Sequence, residues 1–145
     1  ISGWDVSNVT DMAYMFGIAS SFNSDISNWN VSNVTNMAHM FRYADSFSGD
    51  ISQWDVGSVT NMHGMFSNAS NFTSDLAAWN VSSVTTMQAM FNEASKFNSN
   101  ISEWDVSSVS NMKHMFAFAI EFFTSGRGGS FIPTIPMMNV LSFFL

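Results

Sequence analysis

Residues 29–47 read WNVSNVTNMAHMFRYADSF, and the same pattern recurs every 25 residues along most of the chain. Trp4, Trp29, Trp54, Trp79 and Trp104 mark the register, and each is followed two residues later by valine, from Val6 to Val106. The columns beginning at Val9, Met12, Met15, Phe16, Ala19 and Phe22 are invariant through all five copies, and another holds Ile1, Ile26, Ile51, Leu76 and Ile101. A unit this short cannot bury its own apolar side, so its copies must stack and share a core. Stacking turns the columns into interior ladders: the five tryptophans, then Met12, Met37, Met62, Met87 and Met112, then Phe16, Phe41, Phe66, Phe91 and Phe116. The ladders absorb all five Trp, ten of the 12 Met and ten of the 15 Phe.

Two periodicities follow each other within a unit. Ile26, Trp29 and Val31 end in alternation, with Asn28 and Asn30 on the opposite side, which predicts a half-buried strand of about five residues. Met37, Met40, Phe41 and Ala44 follow the i, i+3, i+4, i+7 spacing of one helix face, with Thr35 placed to cap it and Asn36 in its first turn. Strand and short helix in succession predict an α/β, right-handed solenoid with a parallel β-sheet on one face and short helices or 3₁₀ turns on the other. A β-solenoid is the alternative. Residues 1–122 form the five repeats, and residues 123–145 a non-repeat tail with a Gly-rich hinge and an apolar segment.

Composition excludes several functions. The 145 residues are 46% hydrophobic and carry 11 acidic against four basic side chains, a net charge of −7. Arg42, Lys96, Lys113 and Arg127 form no basic stripe, which argues against nucleic acid as a partner. With no cysteine there is no disulfide framework and no thiolate nucleophile.

The motif WDVSNVTDMAYMF at residues 4–16, with its copies at 29, 54, 79 and 104, resembles the BspA-like repeats, a leucine-rich-repeat relative found in microbial and protist surface proteins. The resemblance covers residues 1 to about 122. It implies a leucine-rich-repeat-type solenoid in a secreted or surface protein that binds other molecules without catalytic residues.

On such a scaffold the outward strand positions are the expected binding face: Asp5, Asn28, Asn30, Gln53, Asp55, Asn80, Glu103 and Asp105. The alternating Asp5, Asn30, Asp55, Asn80, Asp105 column predicts a ladder in which amides separate the carboxylates and bond to them across coils. Asp25, Asp50, Asp75 and Asn100 suit local turns. His39, His63 and His114 lack metal-ligand spacing, no catalytic constellation is present, and no metal, cofactor or enzymatic activity is implied. Among seven N-x-S/T sites, Asn68 and Asn71 are the most accessible for glycosylation. The uncharged segment 131–145 is too short to span a membrane and either caps the last coil, contacts a partner subunit or membrane surface, or is a truncation artefact. Ile1 begins directly in a repeat without a leader, so the chain reads as a piece of a longer or processed protein. Two functions follow as expectations: a recognition scaffold for a protein or glycan, extracellular or at a cell surface, or a structural subunit within an organellar or membrane-associated assembly.

Overall fold

The computed structural model describes residues 1–125. Five coils begin at Ile1, Ile26, Ile51, Leu76 and Ile101, and each is a succession of tight turns. In the second coil the amides of Trp29, Val34, Met40, Ala44 and Phe47 donate to the carbonyls of Ile26, Val31, Met37, Phe41 and Ala44 at 2.9–3.2 Å. Each bond closes a four-residue turn whose first and last residues are both buried. The i, i+3 spacing of the apolar columns therefore records turn ends. The helix expected over Met37–Ala44 is absent for a backbone reason. In every coil two positions sit at positive φ: Tyr14, Ile18, His39, Tyr43, Asn68, Ala89, Glu93, His114, Phe118 and Gly64, with φ between 52° and 66°. Each is the third residue of a turn, where type II geometry demands φ > 0, and a right-handed helix cannot contain it.

The remaining amides join the coils. Met12, Tyr14, Phe16 and Ile18 donate to the carbonyls of Asn36, Ala38, Met40 and Arg42 at 2.6–2.9 Å, and the pattern repeats at the other three junctions. Amides two residues apart point to the next coil while those between them close turns, so no strand ladder develops. Among the described residues only isolated parallel bridges link Asp11, Asn36, Asn61, Thr86 and Asn111. The expected α/β solenoid with a parallel sheet is thus corrected, and the β-solenoid alternative fails for the same reason. The only helix among the described residues is α1, Ile120–Thr124. Thr35 caps no helix. Its amide and hydroxyl both donate to the Thr10 carbonyl, at 2.8 and 3.2 Å, as Thr60, Thr85 and Ser110 do one coil further on each time.

The core lies inside the coils as stacked rings. Successive rings of the Phe16 column are 5.5–5.7 Å apart, and each meets the Phe22-column ring of its own coil at 3.7–4.3 Å. Each tryptophan leans toward the preceding coil. The indole N–H groups of Trp29, Trp54, Trp79 and Trp104 donate to the carbonyls of Ile1, Ile26, Ile51 and Leu76 at 3.0–3.3 Å. Their rings lie 5.8–6.4 Å from the preceding Phe of the Phe16 column. Trp4 stacks on Trp29 at 6.4 Å and is 57% exposed, against 3–4% for the other four. At the opposite end Phe123 meets Phe116 edge-on at 6.3 Å, the contact a sixth tryptophan would make. Its column is otherwise polar: Asn23, Ser48, Thr73 and Asn98. The segment 131–145, expected as cap or docking element, lies outside the described residues.

Positive φ costs a residue with a Cβ about 1–2 kcal/mol, and a β-branched one is the worst case. Ile18 sits at φ 66° with its side chain out in solvent. Ile18→Gly is expected to stabilise the fold by about 1 kcal/mol, read as a higher urea midpoint at unchanged m-value. A lower midpoint would show that this backbone is not in the left-handed region.

Candidate recognition surface

All eight residues of the expected binding face are exposed, but their polar atoms are engaged differently from the expected ladder. Asp5 Oδ1 accepts the Ser7 amide at 3.0 Å and hydroxyl at 2.6 Å, and Asn30 and Asn80 hold Ser32 and Ser82 in the same way. Asp55 accepts the Gly57 amide at 3.1 Å and Asp105 the Ser107 amide at 3.0 Å. The column is therefore a series of Asx turns, each closed within its own coil. The serine hydroxyl and amide pull the Asp5 and Asp105 carboxyls below the usual range. Gln53 and Glu103 bond only to Ser52 and Ser102 beside them. A cross-coil Asx contact occurs instead at the bridge column, where Asn36 Nδ2 donates to Asp11 Oδ2 at 3.1 Å. The Asp25 column makes the local turns expected of it, to Ser27, Ser52, Ala77 and Ser102. Of the two glycosylation candidates, Asn68 is at φ 61° and bonds Ser67 Oγ. Asn71 ties three coils together, donating to the Asp45 carbonyl at 2.8 Å and accepting from Lys96 Nζ at 2.7 Å.

The large apolar side chains left in solvent concentrate elsewhere, on the positive-φ columns. Tyr14, Ile18, Tyr43 and Phe118 are 57, 78, 39 and 73% exposed. Around the first three a mixed patch forms across neighbouring coils. The Tyr14 ring stacks on His39 at 4.7 Å, and His39 lies 4.5 Å from the His63 ring. The Ile18 amide donates to the Arg42 carbonyl at 2.6 Å, and the Arg42 guanidinium sits 5.0 Å over the Tyr43 ring. Gly64 completes the floor: its φ is 59°, and a Cβ there would collide with the His39 ring. His39 and His63 are 24 residues apart, the same offset as the inter-coil bonds, and His39 N–H donates to the His63 carbonyl. Matching at 25 puts His39 and His63 in adjacent columns, and the inter-coil bonds, which run at 24, bring the two rings side by side. Among the described residues no group of three or more His, Asp or Glu converges on a metal-sized site.

Burial holds the His39 imidazole below its ordinary pKa, reinforced by His63 and Arg42, and burial followed by Arg42 does the same for His63. The folded protein then binds fewer protons than the unfolded chain, so this contribution is complete above about pH 6.5 and is lost as pH falls below it. The denaturation midpoint is expected to drop between about pH 7.5 and about pH 5.5 in the native sequence and to stay level in a His39→Gln, His63→Gln variant. A midpoint that rose on acidification would contradict the packing of the pair. Asp5, Asp25, Asp50 and Asp105 have lowered values too, so their contribution is lost only in the separate window below about pH 4.

Stacked turn-built coils with engaged polar columns on one side and a strained, aromatic-bearing column pair on another define a repeat protein. A family model described as "Mycoplasma protein of unknown function, DUF285" matches residues 1–77 and again 45–128, and the chain belongs to that family. Membership is compatible with the BspA-type resemblance. No curated protein and no solved structure matches. No helix among the described residues is long and apolar enough to cross a membrane.

Proposed function

We propose that the chain is a non-catalytic repeat scaffold that recognises a protein partner at a cell surface, using the face that carries Tyr14, Ile18 and Tyr43. One observation supports this: at positions where glycine would be free of backbone cost, the sequence places tyrosine, isoleucine and phenylalanine facing solvent. Strain retained at exposed positions is a mark of side chains kept for contact, and exposed aromatics flanking an arginine match the make-up of interface cores. The acidic column from Asp5 to Asp105 lends solubility and turn geometry, because one oxygen of each carboxylate closes its own Asx turn. The test is a triple change, Tyr14, Ile18 and Tyr43 to Gly. Each substitution suits the backbone, so folding should be kept or improved while capture of partner from a surface-protein extract falls at least tenfold, about 1.4 kcal/mol. Undiminished capture by the folded variant would remove the proposal.

A further inference from the structure

The chain's net charge is −7, yet the patch between the first three coils carries the cation Arg42. Arg42 has no carboxylate partner among the described residues; its guanidinium stands by the Tyr43 ring and the two histidines. Lys96, by contrast, is committed to Asn71. The groups facing the imidazoles are Tyr14 from the first coil, Arg42 from the second, and each imidazole for the other. Resting on the recognition face already described, the geometry points to its partner's chemistry: we propose that Arg42, backed by His39 and His63, binds a carboxylate of an acidic protein segment whose adjacent apolar side chain rests on Tyr14 and Ile18.

Three features select that ligand. A guanidinium offers two parallel N–H donors that match a carboxylate, and such charge-assisted pairs are stronger than neutral hydrogen bonds. The Tyr43 ring lies against one face of the guanidinium, and a ligand's apolar side chain seated on Tyr14 and Ile18 would shield the pair from water, which strengthens it. Ile18, 78% exposed, offers an aliphatic surface that suits an apolar side chain better than a sugar ring. The histidines add a consequence. At neutral pH burial and Arg42 keep them uncharged, whereas a carboxylate placed beside them offsets that repulsion, so binding takes up protons and tightens as the pH falls.

Fluorescence anisotropy of a short labelled peptide of alternating Glu and Leu, titrated with the whole chain, tests this at about pH 7.5 and about pH 5.5, where Glu stays ionised. The Glu/Leu peptide is expected to bind, more tightly at the lower pH, and matched Lys/Leu and Gln/Leu peptides are not. Arg42→Gln is expected to weaken binding on the order of tenfold, and Arg42→Lys, which keeps the charge without the fork, to weaken it less. His39→Gln with His63→Gln should abolish the gain on acidification. Equal binding of the Gln/Leu peptide, an unaffected Arg42→Gln variant, or binding of a polyuronate in place of the peptide would each overturn the assignment. Such a failure, with partner capture still lost in the triple glycine variant, would leave the recognition face standing and remove only its acidic ligand.

Discussion

Phe66→Ala is expected to cost about 3–5 kcal/mol, a large part of the 5–15 kcal/mol by which a domain is folded. Phe66 is fully buried in the third of five coils. It stacks on Phe41 at 5.5 Å and Phe91 at 5.7 Å, meets Phe72 at 3.9 Å, and lies 6.4 Å from Trp79. Truncation leaves a ring-sized void with neighbours on four sides, three of which, Phe41, Phe91 and Trp79, are held by inter-coil hydrogen bonds that resist collapse. The position along the stack adds to the effect. In a stack where each unit touches only its neighbours, stability is a sum of unit and junction terms, and a break in the third coil isolates two coils on either side. Two are fewer than such arrays need. Unfolding by urea should therefore lose its midpoint and its cooperativity together in Phe66→Ala. Phe16→Ala, in the first coil, should cost less and keep a sharp transition. Equal costs for the two would mean that the coils do not couple in line.

Much of this was readable in advance and some was not, for identifiable reasons. The ladders follow from identity at a fixed interval: once Trp, Val, Met and Phe recur at 25, stacking is the only way to bury them, and the inner coils bury all of them. The local backbone did not follow. Met37, Met40, Phe41 and Ala44 fit a helix because helices and turns both bring residues three apart to one side. What separates them is the φ of the residue between, and His39 and Tyr43 give no sign of a left-handed conformation, whereas Gly64 in the same column does. Four more residues of the two columns, Ala89, Glu93, His114 and Phe118, hide it equally well. The same gap displaced the candidate surface. A strand would point the Asp5 column outward; in the turns Asp5 closes its own Asx turn, and the exposed aromatics stand on the columns whose spacing also fits a helix. The contact between the two histidines is not legible in the repeat, because the inter-coil contact runs at 24 while the pattern repeats at 25.

Trp79→Ala should rank beside Phe66→Ala, at about 3–5 kcal/mol, while Trp4→Ala, the same change in the same column, should cost about 1 kcal/mol or less. Both residues close the same turn, donating backbone N–H to the carbonyl three residues earlier. They differ in what lies beyond the ring. Trp79 is 4% exposed, its indole N–H donates to the Ile51 carbonyl at 3.1 Å, and its ring packs against Phe66 of the preceding coil. Trp4 has neither of these, only the stacked Trp29 ring at 6.4 Å, and is 57% exposed, so truncation removes little buried area and opens no closed cavity. Trp79→Phe separates packing from hydrogen bonding. The Ile51 carbonyl keeps its turn bond from the Trp54 amide at 3.1 Å, so losing the indole donor leaves no bare acceptor and should cost only about 1 kcal/mol. Thermal or urea unfolding of the three variants decides the matter. Equal losses at Trp4 and Trp79 would mean that the indole column acts within each coil, and that the lean of each ring onto the coil before it does not hold the stack together.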